Sequence, residues 1–331
     1  MRNAKSNLGA LALALGAMIG LPAMAWEPTK PVEIVVAAGA GGASDQMARM
    51  MQAAIQKNNL MKQPMIVTLK GGASGAEALN YMKESAGDTN KVLIAYSLIY
   101  MLPLSVKLPF DWRELTPVSV IALDEFVLWD NVQLPYANTK DFVAAAKKAS
   151  PVFKMGGTGS KREDHVLTVF LEKKTGAKFA YLPYKSGGEA ATQLVGNHIA
   201  SNVNNPSENL EVWRAGQVRA LCVFSKERMQ YKTKVTDKMS WNDIPTCKEE
   251  GVDVDYQMLR AMFLPGKVPK DVQAFYLDLF RKVTQTAEYK EYMEKQALKP
   301  VFYSGDEMIK FLEKDEALNK QLMTEAGFVA K

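Results

Sequence analysis

Four glycine- and serine-rich corners, each placed between a β-branched run and an amphipathic helical pattern, constrain this chain more than any other feature. They are Gly39-Ala40-Gly41-Gly42-Ala43-Ser44-Asp45, Gly71-Gly72-Ala73-Ser74-Gly75, Gly156-Gly157-Thr158-Gly159-Ser160 and Tyr184-Lys185-Ser186-Gly187-Gly188. A strand that turns through glycine into a helix is the repeating unit of α/β proteins. The flanking patterns agree. Val32 to Val36 reads as a strand, and Asp45 to Lys57 as a helix with Met47, Met50, Met51, Ala54 and Ile55 on one face. That methionine stripe is core. Pro64 to Leu69 is a second strand and Val92 to Tyr96 a third; the apolar run on to Val106 reads as a buried strand followed by a turn. A second series starts with a helix that Thr139 caps, running to Lys148, then a strand from Val152 to Met155. Ser160 and Glu163 have capping-box spacing and predict a helix ending near Gly176. Strands near Phe179, Ile199 and Ala220 follow. The last third is helical, with Pro269 to Thr284 amphipathic and a final helix opened by Ser304 and Glu307 and closed near Gly327. The fold class is α/β, with mostly parallel sheets covered by helices on both faces.

The length, 331 residues, is enough for two domains. No Pro/Gly-rich linker separates them, so strands make the crossovers, at Ile121 to Asp130 and Asp255 to Phe263. The first 25 residues read as an export signal. Arg2 and Lys5 are basic, Leu8 to Leu21 is apolar, Pro22 breaks the helix, and Ala23-Met24-Ala25 offers small residues to a peptidase cutting before Trp26. The apolar run is shorter than the roughly 20 residues a membrane span needs. The mature protein is therefore expected to be soluble and exported. Its formal charge falls from +5 to +3 when Arg2 and Lys5 leave, which with no basic stripe argues against nucleic acid. Two histidines and two cysteines exclude a His-rich or Cys-rich metal site, and no cofactor is expected. Cys222 and Cys247 enter an oxidising compartment, yet both sit in apolar contexts, so a disulfide and two buried thiols are both open readings.

In an open α/β sheet the crevice lies beyond the carboxyl ends of the strands. Glycine lets backbone approach a ligand there, and the following helix aims unpaired N–H groups and a partial positive charge at the same point. Corners of this kind make an anion site without a catalytic group. The candidate contacts are Gly41, Gly42, Ala43, Ser44 and Asp45 in the first corner, and Ala73, Ser74 and Gly75 in the second. Thr158, Gly159 and Ser160 supply the third, and Tyr184, Ser186 and Gly187 the fourth. Tyr96 and Ser97 end the third strand; Asn204 and Asn205 end a later one; Tyr96, Tyr100 and Tyr184 are candidate walls. Asp45 repels an anion, so capping its helix or binding through water suits it better. Enzyme readings do poorly. Gly39-x-Gly41 opens like a dinucleotide fingerprint, but Ser44 stands at the third glycine position and no acid follows about 20 positions on. No G-x-S-x-G, Walker A lysine or H-E-x-x-H occurs. His165 lies inside a predicted helix and reads as packed; a Ser160–His165 nucleophile pair would need a third, orienting group.

The segments "PVEIVVAAGAGGASDQMARMM", "IVTLKGGASGAEALNYM", "KMGGTGSKREDHVLTVFLEKKTG", "YLPYKSGGEAATQLVGNHIASNVNNPSE" and "LRAMFLPGKVPKDV" carry, in this order, a family resemblance. From about Pro31 to Gly327 the chain resembles the extracytoplasmic solute receptors of tripartite tricarboxylate transporters, the Bug/TctC type. The resemblance implies a two-lobed type II periplasmic-binding-protein fold that closes on a small, usually carboxylated solute. It also implies delivery of that solute to separate membrane permease subunits, by a monomer without catalytic residues. With the crossovers above it divides the chain into lobe 1, residues 26–124 and 259–331, and lobe 2, residues 125–258. Gly39 and Ala40 stand where the family usually has two prolines, and Leu259-Arg260-Ala261 stands where many members have Trp-x-Gly. Arg260 is thereby a candidate carboxylate fork at the crossover, with a structural salt bridge as the equal alternative. An exported ester or amide hydrolase using Ser160, and a sensory module presenting its ligand to a signalling receptor, are the rival classes.

Overall fold

The computed structural model describes residues 26–331; the segment expected to be an export signal, residues 1–25, lies outside the described residues. The Val/Ile-rich run Val32–Val36 forms strand β1, buried apart from the half-buried Glu33. It turns through the first glycine corner into helix α1 (Ala43–Lys57). Val32, Ile34 and Val36 point towards Met47, Met51, Ala54 and Ile55 of that helix, in a core that also takes Tyr276 and Phe280. Val35 points the other way, into the cluster holding Leu79 and Met82. Each such buried side chain is worth about 1.5–3 kcal/mol. Strand β2 (Met65–Leu69), helix α2 (Ala76–Glu84), strand β3 (Lys91–Ala95) and helix α3 (Leu98–Val106) complete the first series. Strand β4 (Thr116–Asp124) then leads into strand β5 (Val127–Asn131) of a second sheet.

The second series is helix α4 (Thr139–Lys148), strand β6 (Phe153–Thr158), helix α5 (Glu163–Thr175), strand β7 (Phe179–Tyr184), helix α6 (Gly187–Val195), strand β8 (Ser201–Asn204), helix α7 (Pro206–Arg214) and strand β9 (Val218–Val223). Strand β10 (Met258–Leu264) returns to the first sheet. Helices α8 (Lys270–Val283) and α9 (Ala287–Lys295), strand β11 (Lys299–Tyr303) and helix α10 (Gly305–Glu325) follow. The strand orders are β11-β4-β10-β3-β1-β2 and β7-β6-β8-β5-β9. Two lobes result, each a sheet flanked by helices. In the second, Trp129 is fully buried and meets Trp213 edge-on at 5.8 Å.

The α/β class holds, but both sheets are mixed rather than mostly parallel. β1 pairs in parallel with β2 and β3, and β6 with β7 and β8. β10 runs antiparallel to β3 and β4, and β5 antiparallel to β8 and β9. Strands that arrive from the other sheet enter from the opposite end, and so run against the βαβ units already there. Three local expectations also change. The run beyond Val92 becomes a strand and then helix α3, which carries Pro103. Asn138, not Thr139, caps α4, accepting from the Asp141 amide. Ser160 and Ser304 form no side-chain cap: α5 starts later, at Glu163, because Lys161 takes a left-handed turn at φ 60°. Cys222 and Cys247 are disulfide-bonded and buried.

Candidate functional site

All four glycine corners open on one cleft of about 480 Å³ between the lobes. One wall comes from the first sheet: Gly39, Gly42, Ala43 and Ser44 after β1, Gly71 and Ser74 after β2, Tyr96 after β3, and Met258 and Arg260 on β10. The facing wall is Thr158 at the end of β6 with Gly159, Arg162, Glu163 and Asp164 beyond it, Tyr184 at the end of β7 with Lys185 and Ser186 beyond it, and Asn205 and Glu208 at the start of α7. Phe126, at the crossover, also lines the cleft.

The first wall favours negative charge. Gly42 precedes α1 and offers no side-chain cap, so the first-turn amides at Ala43 and Ser44 are left for another partner. Ala73, Ser74 and Gly75 are three consecutive residues at positive φ, of 49°, 58° and 100°. Non-glycine residues resist this region at about 1–2 kcal/mol each. Here it turns the Ser74 corner onto the cleft. A Cβ on Gly71 would come within 2.9 Å of the Ala38 carbonyl carbon, so only glycine lets the first and second corners touch. Arg260 is 3% exposed; its Nη1 donates to Ser44 Oγ at 2.9 Å and its Nη2 pairs with Asp124. Arg260 lines the cleft, and its guanidinium is already held by a structural ion pair with Asp124.

The second wall differs from expectation. Glu163 and Asp164, each 4% exposed, open α5, and Glu208 opens α7. Burial, and then the Glu208 charge, hold the Asp164 carboxyl well above the usual carboxylate range. Burial, and then Asp124, push Glu208 up to about 7. Arg162 reaches across the cleft, its Nη2 donating to the Tyr96 hydroxyl at 3.0 Å, with Nε 3.6 Å from Glu163. The sequence reading missed Arg162, Glu163, Asp164 and Glu208. The available signal was the charged run directly after the third glycine corner, and the glutamate three residues after Asn205.

The corners also spend some of their amides internally. Gly41 N donates to Asp45 Oδ2 at 2.8 Å, Gly72 N to Glu77 Oε2 at 3.1 Å, Thr158 N to Asp164 Oδ2 at 2.5 Å, and Lys185 N to Glu189 Oε2 at 3.0 Å. In each case a carboxylate from the following helix occupies one amide of its own corner. Several expected contacts therefore stand behind the wall. Gly41 and Asp45 satisfy each other. Ala73 and Gly75 shape their turn, with Gly75 packed on Leu98. Ser97 is fully buried near the Tyr256 hydroxyl, and Tyr100 is buried in the core. Gly187 is buried against Glu208, and Asn204 Nδ2 holds the Gly187 carbonyl at 2.8 Å. Ser160 is exposed and off the cleft. His165 Nδ1 accepts from Lys161 N at 3.1 Å while its ring stacks on Tyr181 at 3.9 Å, and burial lowers its pKa to about 4. It is a packed histidine. Ser186 lines the cleft and caps α6, accepting from the Glu189 amide.

Residues 47–328 match the sequence model of the tripartite tricarboxylate transporter family receptor. The chain belongs to this family. Its members are periplasmic solute-binding receptors. The receptor is 26% identical to a Cupriavidus necator protein described as the UPF0065 protein in gbd 5'region, over 98% of this chain and 96% of that one. Among solved structures, an R. palustris protein with adipate matches with a TM-score of 0.79 at 21% identity, covering 91% of this chain and 98% of that chain. MatC from Rhodopseudomonas palustris, with bound malate, matches with a TM-score of 0.74 at 16% identity, covering 89% and 99%. These likenesses establish the two-lobed fold for the receptor.

Proposed function

We propose that this receptor captures a small carboxylate between its lobes and delivers it to the membrane subunits of a tripartite tricarboxylate-type transporter. One observation carries the reading: the uncapped amino end of α1, with the Ser44 and Ser74 corners and Arg260 beside it, faces the cleft that the second lobe covers. Several backbone amides and hydroxyls converging on a partly buried point favour a carboxylate by about 1–2 kcal/mol per helix end. The adipate and malate bound by the two structural neighbours are acids of fitting size. The crossovers near Asp124 and Met258 act as the hinge between residues 26–124 with 259–331 and residues 125–258. Ligand held by both walls favours the closed form, and that surface is what the membrane partner distinguishes. The protein acts as a monomer in the periplasm after cleavage before Trp26, and performs no bond chemistry. The exposed Ser160 and the occupied His165 Nδ1 support that last point over a hydrolase.

The test is a thermal-shift panel of mono-, di- and tricarboxylates and aromatic acids on the purified mature chain. A fitting acid raises the midpoint as its concentration rises. A panel in which carboxyl-bearing compounds never shift the midpoint overturns the reading.

A further inference from the structure

The two walls of the cleft are electrically unlike. Arg260 and Asp124 neutralise each other as a buried pair. Arg162 stands 3.6 Å from Glu163 and is bound to the Tyr96 hydroxyl, so its charge is largely matched too. Of the charged groups lining the cleft, Lys185 is then left against Asp164 and Glu208, and Lys185 is exposed whereas Asp164 is 4% exposed. The second wall is the carboxyl-rich one, with Glu163, Asp164 and Glu208 together on it. Two atoms there also lack partners: Glu163 Oε1, on a side chain more than nine-tenths buried, and Thr158 Oγ1. A buried carboxylate oxygen without a donor costs several kcal/mol until something supplies one. A ligand that is anionic at both ends would set its second carboxylate against Glu163, Asp164 and Glu208. A protonated amine offers three donors and a positive charge to the same place. The Tyr184 ring on this wall suits a cation as well.

We propose that the solute is an acid carrying a cationic nitrogen, its carboxylate at the amino end of α1 and its ammonium among Glu163, Asp164 and Glu208. This rests on the carboxylate reading above for one end and adds the opposite chemistry for the other. The protonation of the second wall fits it. Asp164 is faced by Glu208, Glu163 and Arg162, and Glu208 by Asp124 and Arg260; burial and the neighbouring carboxyls raise both groups, and an ammonium placed among them would act in the opposite direction.

The test compares matched pairs on the mature protein by calorimetry: γ-aminobutyrate against succinate, glutamate against glutarate, and ε-aminocaproate against adipate, with cadaverine as the amine lacking a carboxylate. The expected result is that in at least one pair the amine-bearing acid binds roughly tenfold tighter or more than its dicarboxylate. Its affinity should also rise between about pH 6 and 8 as the wall loses protons. Glu163→Gln, whose Oε1 bonds nothing, should keep the fold and remove most of that preference; Glu208→Gln is the second variant. Dicarboxylates binding while their amine-bearing partners do not would overturn this inference and leave the carboxylate receptor standing. Cadaverine binding alone would overturn the carboxylate end and keep the acidic wall. A preference unchanged in both variants, or no binding from any of the compounds at millimolar concentration, would overturn the inference.

Discussion

Replacing Arg260 by methionine tests how the first wall is held together. Arg260 and Asp124 are 3% and 2% exposed, one on β10 and the other at the end of β4, beside the crossover. Asp124 Oδ1 already lacks a partner, so Asp124 depends on the guanidinium at Oδ2. Arg260→Met keeps much of the side-chain volume and strands the Asp124 carboxylate in the interior. Breaking a buried pair on one side costs about 3–5 kcal/mol. Against a total stability of about 5–15 kcal/mol this is a large share. At about 2–4 °C per kcal/mol it lowers the melting midpoint by roughly 6–20 °C. Urea unfolding followed by tryptophan fluorescence reads the loss as a lower midpoint at unchanged slope. The double variant Arg260→Met with Asp124→Leu removes both charges, and is expected to recover most of the loss, giving a coupling of about 2 kcal/mol or more. If Arg260→Met costs under about 1 kcal/mol, or the double variant loses the sum of the singles, the pair is not the internal brace argued here. Ser44 loses its donor in the same variant, so carboxylate binding should weaken even where the fold survives.

Burial raises Glu125, Glu208 and Asp315 to about 7 and Asp130 to about 6. Such groups bind more protons folded than unfolded, so their contribution is whole below their unfolded values near 4 and is lost as pH rises through about 6–7. His165, lowered to about 4, works in the other direction, its contribution being lost as pH falls below about 6.5. Urea midpoints should therefore decline from about pH 5 to pH 7 and level off above it, and Asp315→Asn should flatten part of that decline; a midpoint rising over this range would contradict the assignment. The Cys222–Cys247 bond closes a loop with a sequence separation of 25. Replacing both cysteines by alanine should cost about 3.5 kcal/mol through the unfolded chain, measured by urea unfolding of the two forms. Gly71→Ala drives a Cβ against Ala38 backbone and should cost about 1–3 kcal/mol and weaken carboxylate binding. Gly39→Ala meets nothing within 4 Å and should stay within about 0.5 kcal/mol of the parent. Equal effects from the two substitutions would refute the close approach of the corners.

The elements that the sequence made legible are those whose periodicity is decided locally. Four of the five residues of Val32–Val36 are Val or Ile, and the Met47, Met51, Ile55 stripe has helical spacing, so β1 and α1 follow from short-range pattern. Strand direction is another matter. Nothing within Met258–Leu264 says whether its neighbours run with it or against it, and the mixed sheets emerge only when the crossovers are traced. The Ser160–Glu163 spacing misled because Lys161 takes a left-handed turn and the helix starts only at Glu163, which a three-residue spacing does not disclose. The glycine corners were recognisable as a set, and they do share one hollow. Which of their amides would be occupied by Asp45, Glu77, Asp164 and Glu189 depends on side-chain reach. The acidic character of the second wall arises from three carboxylates on two helices, and no linear motif displays it.

Helix α5 joins two places that the cleft alone does not connect. Its amino end carries Glu163 and Asp164, while nearer its other end Lys173 Nζ reaches the Glu325 carbonyl at 2.8 Å, and His165 on the same helix meets Phe328 at 4.4 Å. Glu325 and Phe328 belong to the carboxyl-terminal stretch that packs with α3 and β4 of the opposite lobe. A thirteen-residue helix is a stiff rod of about 20 Å. Any tilt of it that brings the acids towards a solute must be taken up along the seam with α10, on the outside of the molecule. Occupancy in the interior is thus mechanically tied to the position of the chain's last helix.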